Sequence, residues 1–142
     1  MPRPRLSRRT FLKAAAAVCA PAVIPATALG RDGRAAPSER IVLGMIGTGG
    51  RGQQNVAAFV ALPDVQVVAV NDVDRKQAEV AGGAVDKHYG NGDCKRVGDF
   101  RELLAVPDLD AVCVSTPDHW HAVICVAAAR SGKDIYCETP LA

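Results

Sequence analysis

The sequence lacks several features that define large classes of protein. No apolar stretch free of helix breakers and charges reaches the roughly 20 residues that a membrane-spanning helix needs, so no stable membrane span is expected. Neither a Gly-X-Y pattern nor a solenoid period is present. Aromatic residues are only 4% of the chain and are not interleaved with a basic cluster, which argues against a nucleic-acid partner. With 142 residues, 49% of them hydrophobic and 23% charged, the chain suits one folded domain.

The first 40 residues differ in charge from the rest of the chain. They hold eight Lys or Arg against two acidic residues, whereas the remainder holds nine against thirteen. Residues 7–13 read Ser-Arg-Arg-Thr-Phe-Leu-Lys, an Ala-rich apolar stretch runs from Ala14 to Ile24, and small residues follow at 26–28. A basic start, a short apolar stretch and a small-residue cleavage site are the three parts of a secretory signal.

The arginine pair resembles the twin-arginine signal of bacteria and archaea. This resemblance implies a signal peptide over residues 1–28 and a linker over residues 29–40. It also implies export by the twin-arginine machinery to a periplasmic or other extracytoplasmic location. A short basic amphipathic segment is the alternative interpretation.

Patterns for metal binding and disulfides are weak. His119 and His121 have no second spaced pair of ligands, so no metal site is predicted. Four cysteines follow the signal without forming a Cys-X-X-Cys pair: Cys94, Cys113, Cys125 and Cys137. We expect free thiols, because three of them fall in apolar predicted elements, and two disulfides are the alternative in an exported chain.

After the linker, the chain shows the opening pattern of a dinucleotide-binding fold. Ile41–Ile46 is an apolar run typical of a strand that is buried on both faces. It leads into the sequence Gly-Thr-Gly-Gly-Arg-Gly at 47–52 and then into a helical pattern with Asn55 on its polar side. The helix ends near Pro63, and a second apolar strand, 65–70, follows. Strand, glycines, helix and strand in this order predict a nucleotide site.

The glycine spacing has a physical explanation. Gly47 permits the tight turn out of the strand, and Gly49 lets backbone amides approach a pyrophosphate. Gly52 lets the helix pack closely on the strand, so that its amino-terminal amides face the phosphates. A glycine turn without a nucleotide is the alternative.

Asp72 lies twenty residues beyond Gly52, at the end of the second predicted strand. There its carboxylate can accept hydrogen bonds from the adenosine ribose hydroxyls and repel a 2′-phosphate, which favours NAD over NADP. Arg75 and Lys76 follow closely and could offset that repulsion, so NADP stays possible.

The remaining chain alternates helices and strands. Its predicted elements are a helix 74–88 loosened by Gly82-Gly83, a short strand 95–97, a helix 100–104 capped by Asp99, a strand 109–115, a helix 122–131 and a strand 134–137. Alternation with short connections predicts an α/β fold with a doubly wound parallel sheet of the Rossmann type over residues 41–142.

These motifs together resemble the Gfo/Idh/MocA oxidoreductases, a family of nicotinamide-dependent enzymes that act mostly on sugars, polyols and related compounds. The markers are the glycine turn at 47–52, Asn-Asp-Val-Asp at 71–74, Ser-Thr-Pro-Asp-His-Trp-His at 115–121, and Gly-Lys-Asp-Ile-Tyr-Cys-Glu-Thr-Pro at 132–140. The resemblance implies NAD as cofactor, a sugar-like substrate and the following cofactor-binding residues: Gly47, Thr48, Gly49, Gly50, Arg51, Gly52, Asp72, Ser115, Thr116, Pro117, His121 and Glu138. It implies that Glu138 sits near the nicotinamide end.

One position departs from the family pattern. The family motif is Glu-Lys-Pro, and its lysine is credited with orienting substrate and helping proton transfer, whereas this chain has Thr139 there. A threonine hydroxyl is no useful acid or base near neutral pH. The resemblance makes Thr139, at the lysine position, and His121 the catalytic candidates. Because Thr139 lacks the ammonium group, a non-catalytic or altered-chemistry relative is the alternative function. We also expect a substrate domain beyond residue 142 and a homo-oligomer of the full-length protein, and we expect residues 1–142 alone to be inactive.

Overall fold

The computed structural model describes residues 36–141. The elements, in chain order, are a 3₁₀ turn Pro37–Glu39, β1 Ile41–Ile46, α1 Gly50–Val60, β2 Val65–Asn71, α2 Arg75–Tyr89, β3 Lys95–Val97, α3 Phe100–Leu104, β4 Ala111–Val114, α4 Asp118–Arg130 and β5 Asp134–Cys137. The predicted signal peptide and most of the predicted linker lie outside the described residues. Within residues 36–141, no helix has both the length and the apolar character needed to cross a membrane.

The strands form a single parallel sheet in the order β3-β2-β1-β4-β5. The chain therefore winds outward from β1 in one direction through β2 and β3, and then in the other through β4 and β5. The order reverses beside β1, and in open α/β sheets ligands bind at the carboxyl ends of the strands at this switch point.

Two apolar cores lie on the two faces of the sheet. Leu43 and Met45 of β1 pack with α1 and α2 on one face, whereas Ile46 packs with α3 and α4 on the other. Side chains that alternate between two buried faces explain why the central strands are apolar throughout. The predicted α/β Rossmann-type, doubly wound sheet is confirmed.

Two element boundaries were predicted wrongly. The helix α4 begins at Asp118, one turn earlier than predicted, because Pro117 adopts φ −57° at the N-cap and Asp118 places an acidic side chain in the first turn. The histidines and Trp120 therefore lie on the helix and not on a preceding turn. The strand β4 covers only 111–114, because Leu109 and Ser115 fall outside its pairing with β1.

The helix α2 runs without interruption through Gly82-Gly83, which were expected to loosen it. Gly82 is buried against the side chain of Arg96 on β3. A Cβ at residue 82 would lie 2.5 Å from Nε of Arg96, so this glycine makes room for a packed arginine.

Candidate functional site

A cavity of about 600 Å³ opens at the carboxyl edge of the sheet, at the switch point beside β1. Its volume is in the range of small-molecule and cofactor sites. The turns that follow β1, β2, β3 and β4 surround it. Of the residues predicted to bind a cofactor, those that line the cavity are Gly47, Gly49, Gly50, Arg51, Asp72, Ser115, Thr116 and Pro117.

The glycine-rich turn leaves space on its cavity side and none on its inner side. Gly47 has a φ of +81°, and a Cβ there would lie 2.8 Å from the backbone nitrogen of Thr116. A Cβ on Gly52 would collide with the carbonyl oxygen of Gly47. At Gly49, in contrast, a Cβ would meet nothing within 4 Å. The helix α1 begins at this turn without a side-chain cap, so its first amides are suited to an anion.

Asp72 holds the glycine-rich turn against the end of β2. Its Oδ2 accepts hydrogen bonds from the backbone nitrogen of Thr48 at 2.8 Å and from the Thr48 hydroxyl at 3.2 Å. Its Oδ1 accepts one from the backbone nitrogen of Asp74 at 2.9 Å. Thr48 is fully buried and does not line the cavity, so its hydroxyl supports the turn through Asp72.

The turn after β4 contributes an unpaired polar atom. The Thr116 hydroxyl oxygen is buried and has no hydrogen-bond partner within the described part of the chain, and Thr116 lines the cavity. An orphaned hydroxyl beside a cavity suits a polar ligand. Together with the open space at Gly49 and the uncapped helix, this hydroxyl shows that the residues present fit a dinucleotide.

Glu138 belongs to a polar network beside the cavity. Its Oε1 accepts hydrogen bonds from Nδ2 of Asn55 at 2.8 Å and from Nε of Arg51 at 2.9 Å. The hydrogen bond from Asn55 is the main cause that lowers the pKa of Glu138, and the hydrogen bond from Arg51 is the second. The hydrogen bond to Glu138 in turn raises the pKa of Arg51. Asn55 also donates to Oγ of Ser115 at 2.9 Å. Glu138 is therefore ionised and held. Arg51 and Ser115 of this network line the cavity, whereas Glu138 and Asn55 do not.

His121 and Thr139 lie differently from the cavity residues. His121 is 2% exposed, and its Nδ1 and Nε2 each lie 2.7 Å from a carbonyl oxygen, of Pro140 and Thr116 respectively. The ring therefore contacts backbone and does not line the cavity. Thr139 is exposed in the segment that follows β5. The catalytic roles of His121 and Thr139 stay predictions.

Sequence reasoning missed several residues of the site. Asn55 was placed on the polar side of α1, yet it is 6% exposed. Val73, which is 95% exposed, and Arg101, whose guanidinium lies 4.4 Å from the Phe100 ring centroid, line the cavity. Trp120 is 44% exposed on the cavity wall. The one signal available in the sequence was the position of Val73, which directly follows Asp72. The other residues come to the site only when the chain folds.

Metal-ligating and thiol groups within residues 36–141 are further candidates for chemistry beside the cavity. No group of three or more His, Cys, Asp or Glu in this range could hold a metal ion. The cysteines of this range have free thiols, with Cys94 and Cys113 buried and Cys125 and Cys137 half-buried. Burial raises the pKa of the Cys94 thiol to about 11, so it is unreactive near neutral pH.

Comparisons with known proteins agree with this geometry. An alpha-N-acetylgalactosaminidase from Shewanella oneidensis is 33% identical over an alignment of 156 positions, gaps included; the match covers 96% of this chain and 34% of that protein. A glycosyl hydrolase family 109 protein from Stenotrophomonas maltophilia is 32% identical over 140 residues, covering 94% of this chain and 29% of its own length. The chain thus spans about a third of the length of the curated relatives it matches.

Among solved structures, the myo-inositol dehydrogenase from Lactobacillus casei in complex with NAD(H) and myo-inositol is 33% identical, with a TM-score of 0.63. The match covers 72% of this chain and 29% of that one. The profile of the twin-arginine translocation pathway signal sequence matches residues 5–25. The profile described as Oxidoreductase family, NAD-binding Rossmann fold matches residues 41–142. The chain therefore belongs to the Gfo/Idh/MocA oxidoreductase family, and it carries that family's NAD-binding Rossmann fold behind a twin-arginine signal for export across the cytoplasmic membrane.

Proposed function

We propose that the full-length protein is a periplasmic NAD-dependent enzyme that acts on a sugar or polyol. The observation that carries this proposal is the cavity at the switch point, which opens at Gly49 and has Asp72 on its wall. In this proposal the first amides of α1 hold the pyrophosphate, and Asp72 binds the adenosine ribose with its remaining lone pairs. The bound cofactor would supply hydride transfer.

A dehydrogenase is the first candidate activity. It is supported by the likeness to a myo-inositol dehydrogenase, in which both nicotinamide cofactor and polyol are bound. The Thr116 hydroxyl is a further support, because a bound cofactor or substrate would give this buried atom the partner that it otherwise lacks.

Glycoside cleavage is the second candidate, and two observations favour it. Curated relatives carry glycosidase names. In addition, Thr139 offers only a neutral hydrogen bond where the family motif has an ammonium group, so a site built for ordinary dehydrogenation lacks its usual proton-transfer group. An altered chemistry in which the nicotinamide is not consumed would suit this substitution.

One assay separates the two candidates. The full-length protein with NAD is offered myo-inositol and, separately, p-nitrophenyl N-acetyl-α-galactosaminide. A dehydrogenase accumulates reduced nicotinamide in proportion to polyol consumed, which its ultraviolet absorbance reports. A glycosidase releases nitrophenolate with no net nicotinamide reduction. Absence of both activities, across a panel of related sugars and polyols and with NAD bound, would contradict the proposal and favour a non-catalytic relative.

Thr139 provides the residue-level test of the first candidate. Thr139→Lys restores an ammonium group, which can stabilise charge developing on a substrate oxygen. We expect faster turnover of a polyol with little change in NAD affinity. Fast reduction by the Thr139 protein that lysine leaves unimproved would show that the proton-transfer group lies elsewhere.

A further inference from the structure

The tripeptide Glu138-Thr139-Pro140 is held on both sides of its central residue. Before Thr139, the backbone nitrogen of Glu138 donates to the carbonyl oxygen of Val114 at 3.0 Å, which ties the segment to the end of β4. The Glu138 side chain accepts its two hydrogen bonds from α1, at 2.8 Å from Asn55 and 2.9 Å from Arg51. Three elements thus meet at Glu138.

After Thr139, the carbonyl oxygen of Pro140 lies 2.7 Å from Nδ1 of His121 on α4. The other ring nitrogen, Nε2, lies 2.7 Å from the carbonyl oxygen of Thr116, which is a cavity residue. His121 therefore lies between the segment after β5 and the turn after β4, where the N–H of a neutral ring donates to one of these two carbonyl oxygens. The residue is 2% exposed.

We infer that Asn55 and His121 are positioning residues that together fix the backbone on either side of residue 139. Asn55 is 6% exposed, and a buried amide without hydrogen-bond partners would destabilise the protein. The Nδ2 group of Asn55 donates hydrogen bonds to Ser115 and Glu138. Both of those residues stand at the ends of strands beside the cavity. A buried polar network of this kind fixes orientation more narrowly than apolar packing does.

We call the contacts of Asn55 with Glu138 and of His121 with Pro140 the clamp. Arg51 connects the clamp to the cavity. Its guanidinium pairs with Glu138 while the residue lines the cavity in the first turn of α1. This ion pair joins the segment after β5 to the first turn of α1. A role of the clamp in catalysis rests on the proposed function. The contacts that form the clamp do not depend on that function.

The test exchanges the two polar groups of the clamp in the full-length protein. Asn55→Asp sets a carboxylate against Glu138 and repels it. Adding Glu138→Gln restores one amide and one carboxylate at the same two positions, with the net charge unchanged from the parent. Gln53→Ala is the matched control, because Gln53 on the same helix makes an exposed amide hydrogen bond to Gln77. His121→Leu removes the second holding point.

Hydrogen–deuterium exchange, followed in the peptide spanning residues 137–142, is the readout. We expect hydrogen–deuterium exchange in this peptide to be at least about tenfold faster in Asn55→Asp and in His121→Leu, because the segment opens locally. In the double variant Asn55→Asp with Glu138→Gln, we expect the rate to return to that of the parent. Gln53→Ala should match the parent. Three results would overturn the inference: equal exchange rates in all variants, faster exchange spread evenly over β1 and β2, or a double variant that does not return to the parent rate.

The same variants separate this inference from the proposed function. The exchange measurement needs neither nucleotide nor substrate, so it is decisive even if NAD does not bind. Where turnover is measurable, we expect Asn55→Asp to lower kcat with the KM for NAD nearly unchanged, and the exchanged pair to recover it. A change in KM alone would show that Asn55 acts on cofactor binding and would contradict a role in positioning residue 139.

Discussion

At the scale of single residues, Gly49 and Gly52 meet two different demands of the glycine-rich turn. Gly52 is needed for packing, since a Cβ there would collide with the Gly47 carbonyl oxygen. Gly49 has an ordinary extended backbone, with φ −76° and ψ 167°, and a Cβ there would project into open space. The fold therefore does not require a glycine at residue 49, and we propose that its lack of a side chain serves the ligand.

This difference predicts opposite results for two alanine substitutions. Gly49→Ala should leave the thermal midpoint of the full-length protein nearly unchanged but weaken NAD binding by tenfold or more, because the Cβ occupies space beside the pyrophosphate. Gly52→Ala should lower the thermal midpoint, because backbone has to move. Thermal unfolding and calorimetry of both variants check this. Loss of stability in Gly49→Ala with unchanged NAD affinity would contradict the site.

Asp72 should control both affinity for NAD and discrimination against NADP. Asp72→Ala removes a ribose acceptor and the anchor of the Thr48 backbone, so NAD binding should weaken by about 1–3 kcal/mol. NADP binding should weaken less, because repulsion of the 2′-phosphate is also removed. Asp64→Ala, an exposed acid between α1 and β2, is the control. Calorimetry that found equal losses for both nucleotides would exclude a ribose-binding role.

At the scale of elements, the adjacent glycines of α2 differ in their surroundings. A Cβ on Gly83 would lie in open space, whereas one on Gly82 would collide with Arg96. Arg96 cannot easily move away, because it donates to Asp86 at 2.6 Å and to the Cys94 carbonyl oxygen at 2.6 Å. Hydrogen bonds from Arg96 and from the Cys94 backbone lower the pKa of Asp86, which keeps this pair charged near neutral pH.

These surroundings predict substitutions of opposite sign one residue apart. Gly83→Ala should stabilise the protein by about 0.5–1 kcal/mol through helix propensity. Gly82→Ala should destabilise it by about 1–3 kcal/mol, because Arg96 is displaced from a packed position. Urea unfolding of the full-length protein measures both. A stabilising Gly82→Ala would show that Arg96 relocates at no cost.

Hydrophobic pattern and turn residues were sufficient to predict the strands, the helices and their order. Asp74 and Asp99, for example, cap α2 and α3 through hydrogen bonds to the nitrogens of Lys76 and Arg101, and such caps are local. What could not be predicted depends on contacts distant in sequence. Asn55 looks like a surface residue until β5 brings Glu138 to it, 83 residues later. Gly82 looks like a helix breaker until Arg96 packs on it.

The start of α4 shows a different limit. Its first turn contains two histidines and a tryptophan, which are mediocre helix formers, and a proline precedes them. Propensity alone therefore places the start later. In the structure Pro117 supplies the entry geometry, and the buried His121 ring lies 2.7 Å from the carbonyl oxygens of Thr116 and Pro140, which places this turn against the segment after β5.

At the scale of the whole molecule, the export signal and the NAD-binding fold are compatible with each other. The twin-arginine route exports folded proteins, so a cofactor that is scarce outside the cytoplasm can be bound before export. We expect Arg8→Lys combined with Arg9→Lys to leave the protein in the cytoplasm. The same double exchange at Arg31 and Arg34, beyond the matched signal, should not affect export. Cell fractionation is the measurement, and unchanged export of the first variant would refute the route.

We propose that this fold binds NAD at the switch point with the nicotinamide near residue 139. A crystal structure of the full-length protein grown with NAD tests it most directly. We expect the pyrophosphate at the first amides of α1, the adenosine ribose at Asp72, and the nicotinamide on the side of Thr139. A dinucleotide bound elsewhere, or one whose nicotinamide points away from Thr139, would contradict it.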